Sequence, residues 1–318
     1  MRVLIELPTW LGDCVMATPA IENIVNFDNE VEITFIGSFV SIEAMKNHQK
    51  VVKTAILSKK YTDLYKISKD LGHFDIFLSF RSSLRSKFLK FSISAEKKYQ
   101  FDKNKYINCH QVEKYNNFIN NSLGIDAKPG KLKLESNLTF GTTLSAVTLG
   151  VQNSRLTLGI NPGASYGSAK RWYPEEFAKV ASELSNEYDI VIFGGPGEKN
   201  IAMDIEKSLI EKGVNNYQNL AGETAIPELI SRISNLDLFI TGDSGPMHVA
   251  AAFQVPTVAI FGPTKDNETS QWMNKKSFIV KKYLDCQPCM KRTCPLQHHD
   301  CMKLIKAEEV LSAVKSFN

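Results

Sequence analysis

The chain has 318 residues, of which 43% are hydrophobic and 23% are charged, and its formal net charge is +4. This composition excludes an intrinsically disordered chain and a disulfide scaffold, and the length is sufficient for two domains of ordinary size. No apolar run approaches the roughly 20 residues of a membrane span, and the first residues lack the pattern of a signal peptide. We therefore expect a cytoplasmic protein that is at most peripheral to a membrane.

Short β-type runs alternate with helix-type segments in both halves, which is typical of parallel α/β sheets. The first half predicts strands at 2–7, 31–36 and 74–80 and helices at 16–26 and 112–123. The second half predicts strands at 156–160, 190–193, 217–220, 236–240 and 257–261, and helices at 174–187, 201–212, 226–234, 247–253 and 307–317. A Gly-, Thr- and Ser-rich stretch at 141–154 predicts a linker. We expect two doubly wound, Rossmann-like domains, 1–150 and 151–318, with a cleft between them and the last helix packed on either domain.

A turn-rich segment at 240–252 carries the strongest functional signal. An apolar run ending at Ile240 leads into turn-forming residues and then into an apolar helical stretch. Asp243 and Ser244 fit the capping positions of that helix, and Pro246 fits its first position, where a missing N–H costs nothing. The free N–H groups and positive dipole end of such a helix bind anions, most often phosphate, and His248 can donate a further hydrogen bond.

Other loops after the predicted strands of the second half also suit a phosphorylated ligand. The loop at 162–172 combines small residues with Lys170, a point charge suited to phosphate, although a stray surface lysine has the same pattern. A glycine-rich turn occupies 194–197. Glu223 follows the next strand, where a carboxylate accepts from a ribose hydroxyl or is merely exposed.

Asp13 follows the first predicted strand, at the edge of the sheet where ligands bind. A carboxylate at this place can act as a general base. Aspartate is also an excellent helix cap, and a helix is predicted just after it, so both interpretations stay open.

Four cysteines cluster near the C-terminus, with two histidines among them. Their spacings are permissive for a tetrahedral zinc site, but reduced thiols that pack a loop give the same pattern. Lys291 and Arg292, which lie between the cysteines, could instead reach phosphates. The cysteines are Cys286, Cys289, Cys294 and Cys301.

Four segments together resemble the bacterial lipopolysaccharide heptosyltransferases, glycosyltransferase family 9. Residues 7–20 are similar to the opening motif of that family, and residues 162–172 and 242–252 are similar to its two donor-site motifs. The cysteine-rich tail at 286–302 is similar to that of the heptosyltransferase II branch. The resemblance runs from one end of the chain to the other and is weakest at about 40–155.

The resemblance implies a GT-B fold and an inverting transfer of L-glycero-D-manno-heptose from ADP-L-glycero-β-D-manno-heptose. The implied acceptor is the first heptose of the inner core on Kdo-lipid A, at the cytoplasmic face of the inner membrane. The chain contains no Asp-x-Asp motif, so we expect no divalent metal and no other cofactor in the reaction. No nucleic-acid partner is expected.

The family's functional residues carry over to several positions of this chain. Asp13 matches the catalytic base, Lys170 matches the lysine at the donor diphosphate, and Asp243 matches a donor-sugar contact. Tyr166 stands where related enzymes often have a small or acidic residue. The other positions that match the donor-site motifs are Gly163, Ala164, Ser165, Ser244, Gly245, Pro246, Met247 and His248, and Glu223 is a further candidate for the donor from its place after a strand.

A basic stretch follows the predicted strand at 74–80. Between Arg81 and Lys105 there are eight Lys and Arg residues against two acidic residues. Such a stretch could meet an anionic acceptor or a membrane surface, or it could be a solvated face. Arg81 and Arg85 lie four residues apart, on one side of a helix if one starts there, and we expect them to hold anionic groups of the acceptor.

Three alternatives stay open. Heptosyltransferases I and III of the same family differ in their acceptor. A nucleotide-sugar epimerase of similar fold would act on the donor alone, but the basic stretch favours a transferase with an anionic acceptor. A non-catalytic nucleotide-binding module would need neither Asp13 nor Lys170.

Overall fold

The structure is a computed structural model, and it describes residues 1–136 and 155–317. The chain divides into two compact units, Met1–Asn137 and Leu138–Asn318. The predicted linker at 141–154 and the predicted domain boundary between residues 150 and 151 lie outside the described residues.

The first unit is built on a parallel five-stranded sheet with the strand order β3-β2-β1-β4-β5. Apolar side chains of its inner strands are buried, such as Val3 and Ile5 in β1 and Phe77 in β4. Its elements are β1 (Arg2–Glu6), α1 (Leu11–Met16), α2 (Thr18–Phe27), β2 (Glu32–Gly37), α3 (Phe39–Met45), β3 (Val51–Ile56), α4 (Tyr61–Asp70), β4 (His73–Ser79), α5 (Leu84–Ser92), β5 (Ser94–Gln100) and α6 (Gln111–Leu123).

The second unit is built on a parallel six-stranded sheet with the strand order β11-β10-β9-β6-β7-β8. Its elements are β6 (Leu156–Asn161), α7 (Pro174–Leu184), β7 (Tyr188–Ile192), α8 (Lys199–Glu211), β8 (Tyr217–Asn219), α9 (Ile226–Ser234), β9 (Leu238–Gly242), α10 (Gly245–Ala252), β10 (Thr257–Phe261), α11 (Asp266–Thr269), β11 (Ser277–Lys281), α12 (Asp300–Lys303) and α13 (Ala307–Lys315). The final helix, α13, contributes Val310 and Val314 to the core of this unit.

Both sheets have the strand order of doubly wound Rossmann-like folds. In such sheets, ligands bind beyond the carboxyl ends of the strands, at the point where the strand order reverses. That point lies between β1 and β4 in the first unit and between β6 and β9 in the second. The register ends with Glu6 beside Ser79 in one sheet and Asn161 beside Thr241 in the other.

Helix boundaries near the N-terminus differ from the prediction of one helix at 16–26. The structure has two helices, α1 and α2, that meet at Ala17. Pro19 has no N–H to donate to the Val15 carbonyl, which instead accepts a hydrogen bond from the Thr18 hydroxyl at 2.7 Å. The helical segment therefore starts earlier than predicted and includes Asp13.

No helix of residues 1–136 and 155–317 is long and apolar enough to cross a membrane.

Candidate active site

A cavity of about 500 Å³ opens in the first unit. Its lining comes mainly from the segments that follow β1, β4 and β5 and from the start of α6, so it lies where the strand order reverses. The side chains that line the cavity include an indole ring, a carboxylate, two cations and an amide. These belong to Trp10, Asp13, Arg81, Lys103 and Gln111.

Asp13 faces this cavity from the first turn of α1. The N-cap of α1 is Trp10, so the interpretation of Asp13 as the N-cap is wrong. The Tyr115 hydroxyl donates to Asp13 Oδ1 across 3.4 Å. Burial raises the pKa of Tyr115, and the nearby Asp13 charge raises it further, so the phenol stays a neutral donor. This contact orients the carboxylate and leaves it at the cavity wall, as a general base requires.

Arg81 lines the same cavity, and its guanidinium contacts the buried carboxylate of Glu6. Glu6, the last residue of β1, is 1% exposed. Its Oε2 accepts from the Ser79 hydroxyl at 2.6 Å, and its Oε1 accepts from the Ser86 hydroxyl at 3.0 Å and from Arg81 NH1 at 3.4 Å. The Gln100 side chain donates to the Arg81 carbonyl at 3.0 Å. The guanidinium is therefore fixed beside Asp13's cavity.

We predict that Glu6→Gln alters how stability depends on pH. Burial raises the pKa of Glu6, so the folded protein holds this proton more tightly than the unfolded chain. The stabilisation that results is complete below the unfolded pKa and is lost as pH rises through the folded pKa. Thermal melts from about pH 4 to 8 should show a smaller decline of Tm with rising pH for the variant. Parallel Tm curves for the two proteins would contradict this prediction.

Arg85 does not join Arg81 in the cavity lining. Helix α5 starts at Leu84, so Arg81 precedes it and the expectation that both arginines lie on one helical side is wrong. The Arg85 guanidinium donates to the Ser58 carbonyl. The second basic side chain that lines the cavity is Lys103, which is exposed, and not Arg85 as predicted.

In the second unit, Lys170 and Asp243 meet at the ends of neighbouring strands. Lys170 closes a short 3-10 turn, Ser168–Lys170, in the loop after β6, and Asp243 directly follows β9. Lys170 Nζ lies 2.5 Å from Asp243 Oδ2, and the two side chains are 12% and 5% exposed. The Thr264 hydroxyl donates to the same carboxylate oxygen at 2.5 Å. The structure thus brings together two residues that lie far apart in the sequence.

The start of α10 adjoins this ion pair. Ser244 is the N-cap, as expected, but its side chain makes no capping hydrogen bond. Its hydroxyl instead lies 3.2 Å from the Asn161 amide nitrogen and 3.2 Å from the Thr241 hydroxyl. Pro246 is the second residue of α10 and not, as predicted, the first, but it still lies within the first turn and has no N–H to satisfy. The Met247 N–H donates to the Ser244 carbonyl at 3.2 Å, and the positive dipole end of the helix favours an anion beside it.

Two further candidates in α10 are buried. His248, in the first turn, is 3% exposed. Met247 is fully buried against Ala259 and Phe261, so it packs the core, and the expectation that it binds the donor is not supported. Gly245 opens the helix between Ser244 and these two residues.

The loop after β6 approaches its neighbours closely. A Cβ atom at Gly163 would lie 2.0 Å from the Glu198 carboxyl carbon, so a larger residue here would have to displace the Glu198 side chain. Ala164 is buried, whereas Ser165 is exposed. Lys170 Nζ lies 4.8 Å from the centroid of the Tyr166 ring.

Arg292, from the cysteine-rich segment 286–302, contacts the same loop. Its guanidinium carbon lies 5.5 Å from the Tyr166 ring centroid, and its carbonyl accepts from the Ala169 N–H at 3.0 Å. Tyr166 is therefore flanked by two cations, and its hydroxyl donates to the Met290 carbonyl at 2.7 Å. Glu223, by contrast, is exposed. It follows β8, which is the second strand from β6 in the sheet order.

The cysteine-rich segment also contacts this loop through His299. His299 contacts the Ala169 carbonyl at 3.0 Å and the Tyr173 hydroxyl at 3.2 Å. Burial, together with the three neighbouring cysteines, raises the pKa of the Cys301 thiol to about 11. Within the described residues, no group of three or more His, Cys, Asp or Glu side chains is placed to hold a metal ion.

Several site residues could not be recognised from the sequence. Tyr115 reaches Asp13 from α6, and nothing in its local pattern marks it, whereas Glu6 is a polar residue at the carboxyl end of the apolar strand β1. Asn161 and Thr241 offered a signal, because each is a polar residue at the carboxyl end of an otherwise apolar strand.

Known proteins are similar to this chain in sequence. The model of glycosyltransferase family 9 (heptosyltransferase) matches residues 64–299. The chain is 44% identical to lipooligosaccharide heptosyltransferase 2 of Campylobacter jejuni, over 99% of this chain and 98% of that protein.

Solved structures share the fold. The ADP-heptose lipopolysaccharide heptosyltransferase II of Escherichia coli has a TM-score of 0.82 at 19% identity, covering 100% of this chain and 98% of that one. An E. coli heptosyltransferase with ADP-2-deoxy-2-fluoro heptose has a TM-score of 0.74 at 13% identity, covering 100% of both chains. The predicted α/β class with two Rossmann-like units in a GT-B fold is confirmed. The chain therefore belongs to glycosyltransferase family 9, the heptosyltransferases.

Proposed function

We propose that the protein transfers L-glycero-D-manno-heptose from ADP-heptose, with inversion at the anomeric carbon, to the first heptose of the inner core on Kdo-lipid A. The observation that carries this proposal is the 44% identity, over 99% of the chain, to a lipooligosaccharide heptosyltransferase 2. We place the reaction at the cytoplasmic face of the inner membrane, where the protein is peripheral. Membership of a glycosyltransferase family argues against the epimerase and against a non-catalytic module.

The donor side of the reaction uses the second unit. The Lys170 ammonium and the start of α10 offer positive charge at the point where the strand order reverses, which suits a nucleoside diphosphate. Arg292, beside Tyr166, adds a second cation near Lys170. An ADP-sugar donor is also supported by the E. coli heptosyltransferase of the same fold that was solved with ADP-2-deoxy-2-fluoro heptose.

The acceptor side uses the cavity of the first unit. Asp13 takes the proton of the acceptor hydroxyl as that oxygen attacks the anomeric carbon of the donor. The bond from this carbon to the ADP oxygen breaks, and its electron pair leaves with the diphosphate. Because the transition state resembles an oxocarbenium ion, positive charge from Lys170 at the leaving group lowers the barrier. One such displacement inverts the anomeric configuration.

The proposal is tested by incubating the protein with ADP-heptose and purified Kdo-lipid A that carries either no heptose or one. Mass spectrometry should show one added heptose only on the acceptor that already carries one. Addition to the heptose-free acceptor would favour heptosyltransferase I, and reaction only with a longer core would favour heptosyltransferase III. Absence of transfer to every core would refute the proposed function.

We expect transfer to persist in excess EDTA. The sequence has no Asp-x-Asp motif, and Lys170 with the α10 start supplies the positive charge that a metal ion would give the diphosphate. Initial rates measured with EDTA, and with EDTA plus excess Mg²⁺, should agree within error. Complete loss of activity in EDTA with full recovery in Mg²⁺ would contradict a metal-independent mechanism.

We expect Lys103→Ala to raise the KM for the acceptor roughly two- to fivefold, the effect of losing one partly exposed ionic contact. Lys103 lines the cavity beside Arg81, where phosphate or carboxylate groups of the acceptor would bind. The donor KM should not change, and the difference from wild type should shrink at high salt. Lys97→Ala is the matched control, because Lys97 is an exposed lysine of β5 outside the cavity lining. Equal acceptor KM values for the two variants would contradict the assignment.

A further inference from the structure

Two neighbouring helices of the first unit present large apolar side chains to solvent. In α5, Leu84 and Phe91 are 78% and 85% exposed, and their spacing places them on one helical face with Phe88. In α4, Tyr61 and Tyr65 are 52% and 51% exposed. The Tyr61 and Phe88 rings pack edge to face with centroids 5.1 Å apart, so the two helices share one surface. We call these five side chains the α4–α5 face.

Lysines surround this face. Segments 59–70 and 84–92 contain six lysines but only two carboxylates, Asp63 and Asp70. The Ser58 hydroxyl donates to Asp63 at 2.6 Å and so directs this carboxylate toward the loop before α4. Lys69 Nζ lies 5.3 Å from the Tyr65 ring centroid, so cations and aromatic rings are interleaved. The six lysines are Lys59, Lys60, Lys66, Lys69, Lys87 and Lys90.

The face begins at the rim of the acceptor cavity. Ser83 lines the cavity and is the N-cap of α5, and the exposed Leu84 follows it directly. If this face enters the headgroup region of a membrane, the cavity lies beside the membrane. The sugars of a membrane-anchored acceptor can then reach Asp13. Exposed aromatic and leucine side chains with a lysine rim are the composition of interfacial membrane-binding surfaces.

We propose that the α4–α5 face docks on an anionic membrane surface, with its aromatic and leucine side chains in the headgroup region and its lysines on the lipid phosphates. This inference rests on the proposed function, because docking on a membrane serves the reaction only if the acceptor is linked to a lipid. The lysine rim favours anionic lipid over a second copy of this chain, since two copies would bring like charges together.

The test compares Leu84→Ser/Phe91→Ser with Met203→Ser/Ile210→Ser. Met203 and Ile210 are 59% and 60% exposed on α8 of the second unit, so the control removes a similar apolar surface elsewhere. Co-sedimentation would use phosphatidylcholine vesicles with and without phosphatidylglycerol. We expect wild type and control to bind only the anionic vesicles, and the α4–α5 variant to lose binding by roughly tenfold or more. Added salt should weaken wild-type binding.

A second measurement separates docking from catalysis. On a deacylated, water-soluble acceptor, the α4–α5 variant should match wild type in kcat/KM, whereas on the acceptor embedded in anionic vesicles it should be slower. Equal vesicle binding by the α4–α5 variant and wild type would overturn the proposal, as would dimerisation of wild type that the variant abolishes without affecting vesicle binding. Failure of wild type to glycosylate the deacylated acceptor would instead count against the proposed function.

Discussion

Asp13→Asn is expected to lower kcat by about 10²–10⁴-fold, the usual cost of removing a general base. The amide has the shape of the carboxylate and still accepts from the Tyr115 hydroxyl, so the variant should fold. It cannot take the proton of the acceptor hydroxyl, however. Because Asp13 belongs to the first unit and the donor candidates belong to the second, the Kd for ADP should stay unchanged.

Steady-state kinetics with both substrates varied, together with calorimetric titration of ADP, would check this result. Asp126→Asn is the matched control, since Asp126 is an exposed aspartate of the same unit outside the cavity lining. Tyr115→Phe should slow transfer less, because it removes only the hydroxyl that orients the base. An Asp13→Asn variant with near wild-type turnover would leave this residue a structural role at the start of α1.

The inner strands of both sheets could be predicted from sequence because they are continuous apolar runs between turn-forming residues. β1 and β6 are buried along almost their whole length, and the predictions for them differ from the structure by a single residue. The edge strands β3 and β5 gave no such signal. β5 carries Lys97 and Lys98, and none of its seven positions is buried, as is usual where a sheet edge must resist pairing with another chain.

Strand β9 shows how tertiary contacts shift a boundary that the sequence pattern suggests. The apolar run predicted a strand at 236–240, but the strand is Leu238–Gly242. Leu236 still belongs to the preceding turn, through a hydrogen bond to the Ile233 carbonyl, and Asp237 accepts from the Thr157 N–H at 2.8 Å. The Thr157 partner belongs to another strand, so local hydrophobicity could not reveal this contact.

Some residues of the candidate site could likewise be predicted from the sequence, and others could not. Lys170, Asp243 and Ser244 were predicted from loops after strands, and the structure places them together because those strands are neighbours. The acceptor side was predicted less well. Arg85 was chosen for its spacing from Arg81, yet spacing has this meaning only inside a helix, and α5 begins between the two residues. Lys103 reaches the cavity from the end of β5, a strand that the sequence did not reveal.

Lys170→Ala is expected to lower kcat/KM for the donor by about 10²–10³-fold, the usual effect of removing one preorganised group that stabilises a developing anion. ADP should also bind more weakly. The substitution has a structural cost as well, because it leaves the buried Asp243 carboxylate without its cation. A lower Tm is therefore expected, and activity alone would not separate the two effects.

The double variant Lys170→Ala/Asp243→Asn separates them. Replacing the carboxylate with an amide removes the uncompensated charge, while Thr264 can still donate to the amide oxygen. We expect the double variant to recover most of the lost Tm and to remain as inactive as the single one, because the charge at the leaving diphosphate is still missing. Lys207→Ala, on the exposed side of α8, is the matched lysine control. If the double variant instead recovers transfer, Lys170 serves only to neutralise Asp243, and the charge that stabilises the departing ADP must come from Arg292 and the start of α10.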